Sequence, residues 1–387
     1  MTEQKKGGSN MDTKKFRTRQ EANTDLNPKG KRYIIGLDMG YSSVKCFFET
    51  GHFVFPSYVK KVESMVKIPD EKDILYRKDA SSSEYIIGYN AQSMVDCEDT
   101  NDTNGDLLGR KGRYQSESFQ ILYQAALALA TESKNDGREL FIQTGLPSSY
   151  LEADTGAIKR ALAKTYDFEL RLGNGPWKKY HLVIKQENVK VIAQPSASLF
   201  SCITKNDGKF SEQANELLTG NVLILDAGFG TFDFFGTKNR KLECVESTNE
   251  LGMSQVLKRT AREILQDTGE SINLVALQNC LEDGEFSYYD DEKDCSDRKK
   301  LAPYLKRAND AVFQEVKAKV KTTTDSLRGY RYVIVTGGSG EAWLDNFREW
   351  LKNMKTLTLL PANINDHLPL LFANARGYYM YALASTK

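Results

Sequence analysis

Apolar positions along this 387-residue chain fall into two periods, and the switches between them mark out the elements. RYIIGLDMGYSSVKCFFET reads as strand, tight turn, strand, with apolar runs on both sides of a Gly/Ser turn. β-like pieces follow at FVFPSYV and EYIIGYN. ESFQILYQAALALATES is apolar all round and rich in helix formers, which predicts a buried helix. ELFIQTGLPSSY is a strand entering a turn, and DTGAIKRALAKTY predicts a short amphipathic helix capped by Asp154 or Thr155. FELRL and KYHLVIKQ, joined by GNGPW, predict a hairpin. VKVIAQPSASLFSCI predicts a strand that turns into a helix, with Pro195 at the helix start.

In the second half, LGMSQVLKRTAREILQD puts Met253, Val256, Leu257, Ala261 and Ile264 on one helical face. SINLVALQNCLED and LAPYLKRANDAVFQEVKAKVKTTTDSL predict two more helices. Between them GEFSYYDDEKDCSDRKK reads as a charged surface segment. RYVIVTGGSGEAWLDNFREWL is strand, glycine loop, helix. LPLLFANARGYYMYALAS closes the chain as an apolar helix in which Gly377 admits a neighbouring backbone. Strands and helices alternate, yet several strands come as hairpin pairs, so the fold class is α/β with mixed sheets. Two polar stretches lack either period. Residues 1–31 read as a disordered tail, and residues 96–114 as an exposed loop.

Composition narrows the function classes. The net charge is +1, so overall electrostatics gives no case for a nucleic-acid or membrane binder. No apolar run nears the roughly 20 residues a membrane helix needs, and the basic N-terminus has no apolar core of a secretory signal. The expectation is a cytoplasmic protein with no membrane contact. The six cysteines are scattered and the three histidines, His52, His181 and His367, are far apart, which argues against a zinc site or a His-based triad.

A self-match carries the chemistry. IIGLDMGYSSVKCFF (34–48) aligns with VLILDAGFGTFDFFG (222–236), pairing Asp38 with Asp226, Gly40 with Gly228 and Ser43 with Thr231. A match of this kind in both halves points to a duplicated unit and two similar lobes. Glycine in the middle of an apolar run costs backbone entropy and packs nothing. It is useful where backbone N–H groups must approach an anion, with Ser and Thr hydroxyls as further donors. An Asp at such a turn cannot face a bare phosphate, but it can face one through a hydrated Mg²⁺. Lys45 would add a point charge. Either turn alone reads as an ordinary Asp-Gly hairpin. The pair, with the glycine cluster TGGSG at 336–340, points to a magnesium polyphosphate clamped between lobes. No GxxxxGK[ST] or GxGxxG occurs.

LDMGYSSVK, AQPSASL, LDAGFGTFD and VTGGSGEAW stand in the order of the phosphate-1, connect-1, phosphate-2 and adenosine motifs. In this the chain resembles the actin, sugar-kinase and heat-shock-ATPase superfamily from about Tyr33 onward. Within it the chain is most similar to bacterial actins of the ParM type. TGLP at 144–147, LGMS after phosphate-2 and the ending NARGYYMYAL support this. The resemblance implies an actin-like two-lobe fold, each lobe built on a mixed sheet of a duplicated ribonuclease-H-like unit with flanking helices. Residues 32–193 would form the first lobe, with 367–387 packing back on it, and 194–366 the second.

It also implies roles. Asp38 and Asp226 would hold a hydrated Mg²⁺. Gly40, Tyr41, Ser42, Ser43 and Lys45 would surround the phosphates of ATP or GTP from one lobe, and Gly228, Phe229, Gly230 and Thr231 from the other. Gly337, Gly338 and Ser339 would line the base, with Glu250 and Lys258 near the ribose and base. Gln194 falls where actins carry a Gln and ParM proteins a Glu that positions the attacking water. Read without the resemblance, it is a polar residue at a helix start. Two positions depart from the pattern: Met39 where ParM proteins often have a second acid, and Tyr41 where a small hydroxyl residue is usual.

The function implied is a slow nucleotide hydrolase that assembles with itself into filaments and moves plasmid DNA through a DNA-binding adaptor. The alternatives are a non-polymerising regulatory ATPase and a small-molecule kinase on the same fold. The kinase would need an Asp base beside its acceptor, and neither AQPSAS nor TGLPSS supplies one. Residues 96–114 and 284–300 are candidate filament contacts, with solvated loops as the other reading.

Overall fold

The computed structural model describes residues 11–62, 70–94, 112–134 and 136–386. Its strands are β1 (Glu21–Asn23), β2 (Tyr33–Met39), β3 (Ser43–Phe48), β4 (Gly51–Pro56), β5 (Val59–Lys61), β6 (Ile74–Arg77), β7 (Tyr85–Ile87), β8 (Leu140–Leu146), β9 (Thr165–Leu172), β10 (Lys178–Val183), β11 (Val189–Ala193), β12 (Val222–Ala227), β13 (Phe232–Lys238), β14 (Lys241–Thr248), β15 (Glu285–Asp290), β16 (Cys295–Lys300), β17 (Tyr332–Thr336) and β18 (Thr358–Pro361). The helices are α1 (Tyr89–Ser93), α2 (Glu117–Thr131), α3 (Leu151–Leu162), α4 (Gln194–Ile203), α5 (Ala214–Thr219), α6 (Met253–Thr268), α7 (Leu274–Asp283), α8 (Ala302–Thr323), α9 (Gly338–Leu351) and α10 (Ala373–Ser385).

Two sheets share one topology. The first runs β1-β4-β3-β2-β8-β11 and the second β14-β13-β12-β17-β18. Without β1, each has the order 3-2-1-4-5. The first three strands form an antiparallel meander. The last two add in parallel beside the first. The duplication seen in the sequence is therefore a duplication of architecture. It places β2 and β12 at the same position in their sheets, each delivering its Asp at the strand's C-terminal end. A third, antiparallel sheet, β10-β9-β6-β7-β5, extends the first lobe.

Burial follows the two periods. β2, β3 and β12 are buried at every position, as central strands covered on both faces must be. α2 is buried on most of its surface and sits in the first core with Ile35, Leu37 and Phe168. α6 buries Met253, Val256, Leu257 and Ile264 in the second core, and Ala261 packs at its edge. α10 is buried nearly all round, against β2 on one side and α4 on another. At the α4 contact a Cβ on Gly377 would overlap the carbonyl oxygen of Ala197, so only glycine permits this approach.

Three expectations need correction or a boundary. First, residues 11–31 are not a disordered tail. Thr13–Phe16 form a 3₁₀ turn and β1 pairs with the edge strand β4. The segment lacks periodicity because it docks one side chain at a time, Phe16 into the second core, and carries no apolar face of its own. Second, α3 starts at Leu151, so Asp154 and Thr155 lie inside it and do not cap it. Third, the charged segment after α7 is an exposed hairpin, β15–β16. Residues 1–10 and most of the 96–114 stretch lie outside the described residues.

Candidate functional site

The two acidic turns are built alike. In the first, the Gly40 N–H donates to the Ser43 carbonyl at 3.1 Å, and in the second the Gly228 N–H donates to the Thr231 carbonyl at 2.9 Å. Each glycine carbonyl in turn accepts from a serine of another element. Ser57 Oγ donates to Gly40 at 3.0 Å and Ser339 Oγ to Gly228 at 2.9 Å.

The turns meet. Tyr41 reaches from the first to the second, where a Cβ on Gly230 would lie 2.8 Å from Tyr41 Cδ2. The bulky Tyr41 is accommodated because Gly230 has no side chain. The guanidinium of Arg113 stacks on the same ring, at 4.3 Å from its centroid. Arg113 is buried and also donates to the carbonyls of Met39 at 2.7 Å and Gly40 at 2.9 Å, which pins the first turn from behind.

Their electrostatics differ. Asp38 stands opposite Lys45 in the β2–β3 ladder, and the pair is joined at 3.1 Å. Asp226 stands opposite a second carboxylate, Asp233, in the β12–β13 ladder. Burial first, then the charges of Asp233 and Asp38, push Asp226 up to about 7, against a 2.9 Å hydrogen bond from Asn374. Burial pushes Asp233 up to about 6, against hydrogen bonds from Ser247 and from Thr231, whose Oγ1 donates to its Oδ2 at 2.9 Å. The second turn therefore brings to the cleft two carboxylates, Asp226 and Asp233, that have no cation beside them, among the described residues, comparable to Lys45 beside Asp38. Among the described residues, no three His, Cys, Asp or Glu side chains stand close enough to hold a metal directly. This donor set suits a cation held through water and by ligand oxygens.

Around the turns lies a cleft of about 1350 Å³, part of it open to solvent. It is lined by Asp38, Gly40, Tyr41, Ser42, Ser43 and Lys45 from the first lobe. Gln194, Asp226, Gly228, Phe229, Gly230, Thr231, Gly337, Gly338 and Ser339 line it from the second. Gln194 is the first residue of α4, with Pro195 next. Two residues expected at the base do not line the cleft. Lys258 is exposed because α6 turns its apolar face inward, which leaves position 258 to solvent, and Glu250 is exposed on the preceding turn.

The site also contains residues to which the sequence assigned no role: Arg113, Asp233, Glu341, Asn374 and, at the mouth, residues 15–19. Asp233 carried a signal, being the second acid in an otherwise apolar strand. Arg113 carried none, since it lies in a polar stretch far along the chain from the turn it supports.

Residues 36–196, from β2 into α4, match the family model for the N-terminal domain of actin-like proteins. No curated protein sequence matches the chain. Among solved structures, it is similar to a non-polymerisable quadruple mutant of pCBH ParM, with a TM-score of 0.70 at 19% identity over 91% of this chain and 99% of that one. A 15-stranded ParM filament from Clostridium botulinum gives a TM-score of 0.69 at 18% identity, covering 90% and 98%. The archaeal actin homologue Ta0583 in complex with ADP gives 0.61 at 17% identity, covering 90% and 99%. The likeness is one of fold, and it extends over both lobes.

Proposed function

We propose that this chain, an actin-like protein of the ParM type, binds a magnesium nucleoside triphosphate between its lobes. We further propose that it hydrolyses the nucleotide slowly and uses the nucleotide state to control assembly into filaments. The observation that carries this reading is the meeting of the two duplicated turns through Tyr41 and Gly230, with Asp38, Asp226 and Lys45 around one cleft. In that reading Asp38 and Asp226 hold the water shell of Mg²⁺, which supplies the positive charge the polyphosphate and the carboxylates both need. The turn N–H groups, Ser42, Ser43, Thr231 and Lys45 bind phosphate oxygens, and Gly337, Gly338 and Ser339 give the base a flat bed.

Gln194 orients a water for in-line attack. A neutral amide positions water but does not take its proton strongly, so turnover is slow and the nucleotide serves as a timer. Self-assembly is supported by the filament among the structural neighbours, and nucleotide binding by the ADP complex. Plasmid segregation through a DNA-binding adaptor is the cellular role we attach to this cycle. No helix among the described residues is long and apolar enough to cross a membrane. The reading is tested by sedimentation and light scattering with Mg-ATP, Mg-GTP and their diphosphates. One triphosphate should drive assembly and phosphate release with no added acceptor. No assembly with any of the four at high protein concentration would overturn the filament reading.

A further inference from the structure

The N-terminal segment crosses the mouth of the cleft and is bonded to both lobes along its length. On the second lobe, Phe16 is buried in the core, and Thr13 Oγ1 donates to the Leu281 carbonyl at 2.8 Å. Arg17 then holds both sides at once. Its Nη1 pairs with Glu282 of α7 at 2.6 Å, while its guanidinium stacks on Tyr89 of α1, in the first lobe, at 4.3 Å. Thr18 does the same: its N–H donates to Gln278 of α7 at 3.0 Å, and its hydroxyl to Gln92 of α1 at 3.0 Å. Arg19 returns to the second lobe and pairs with Glu341 of α9 at 3.2 Å. Gln20 and β1 finish on the first lobe, through the Lys72 carbonyl, the Tyr89 N–H and the edge of β4. Residues 15–19 meanwhile line the cleft itself, beside Glu341 and Ser339.

We propose that residues 13–20 are a built part of the nucleotide site, a strap that walls the cleft at its mouth and bolts the two lobes together, so that bound nucleotide leaves only when the strap lets go. This rests on the nucleotide reading above. The hinge between lobes is held shut while this short segment is fixed to the second lobe by ion pairs to Glu282 and Glu341 and by buried Phe16, and to the first by the Arg17–Tyr89 stack, hydrogen bonds to Gln92, Lys72 and Tyr89, and the β1–β4 ladder. Arg17 and Thr18 each bond α1 and α7 at the same time, so these contacts must break when α1 and α7 move apart. Strap release and lobe opening are therefore one event, and nucleotide exchange waits on it.

The test measures release of a fluorescent Mg-nucleoside diphosphate, adenine or guanine, from the full chain in a stopped-flow chase. The first variant, Glu282→Gln with Gln278→Ala, removes the side-chain partners of Arg17 and Thr18 on α7 without changing a residue that lines the cleft. The second deletes residues 2–20, with circular dichroism confirming the fold. Release at least tenfold faster in the first variant, and faster again in the deletion if that chain folds, is the expected result. Release within twofold of wild type in the first variant overturns the strap while leaving the nucleotide reading intact. Wild type that retains neither nucleotide overturns both. Limited trypsin digestion gives a readout independent of ligand. The wild-type strap should resist cutting after Lys15 and Arg17 and the first variant should not, whereas equal rapid cutting of both would overturn the proposal.

Discussion

The ring of Tyr41, on the turn of the first hairpin, lies against Gly230 on the turn of the second, so closely that a Cβ at Gly230 would sit 2.8 Å from Tyr41 Cδ2. Two turns nearly 190 residues apart in sequence are thereby fixed as neighbours. The large residue on one is matched by the absence of a side chain on the other.

This contact predicts a rescue. Gly230→Ala should weaken Mg-nucleotide binding about tenfold or more, because the added methyl must displace Tyr41 and with it the phosphate turn. Gly230→Ala combined with Tyr41→Ser should recover most of the loss, and a binding titration on all three variants measures it. Additive losses in the double variant would mean that the two turns are not coupled through this ring.

The unlike partners of Asp38 and Asp226 predict an effect on stability. Asp233 is a buried carboxylate whose folded-state value, about 6, lies above the ordinary value of 3.8. Its ionisation therefore costs the folded state nothing below 3.8 and its full amount above 6. Asp233→Asn keeps an acceptor for Thr231 and removes the charge. Chemical denaturation of the nucleotide-free chain should show the variant more stable by about 1–3 kcal/mol at pH 8, with the gain gone near pH 4. A loss of stability at pH 8 would show that the carboxylate is already compensated.

Gly377 predicts a packing defect. Gly377→Ala forces α10 away from the Ala197 carbonyl in α4, the helix that begins with Gln194. Overpacking of this kind costs about 2–3 kcal/mol. Nucleotide hydrolysis should fall more than nucleotide binding does, because Gln194 shifts while the phosphate turns do not. Equal falls in both would place the defect elsewhere.

What the sequence made legible was what had a local cause. Asp226, Gly228 and Gly230 interrupt a buried apolar run, and Asp38 and Gly40 repeat the interruption in the first half, so the turns were readable as a duplicated pair. The repeat pointed to two similar lobes, and the strand order they share is seen only in the structure. Residues whose role is set by tertiary contact were not readable. Arg113 supports a turn more than seventy positions away, and nothing around it in sequence says so. The strap gains its order by docking Phe16, Arg17 and Thr18 onto two lobes, so a pattern search finds only a polar tail. Lys258 failed the other way: it lies close in sequence to the second turn, but its helix faces it to solvent.

The central claim is that both turns grip one metal-bound nucleotide, and calorimetric titration of ATP and GTP with and without Mg²⁺ tests it most directly. Wild type should bind one of them with a strong Mg²⁺ dependence. Asp226→Ala and Lys45→Ala, one on each turn, should each weaken that binding at least tenfold while the chain stays folded. Wild-type affinity in either variant, or no Mg²⁺-dependent binding by the wild type, would contradict the account.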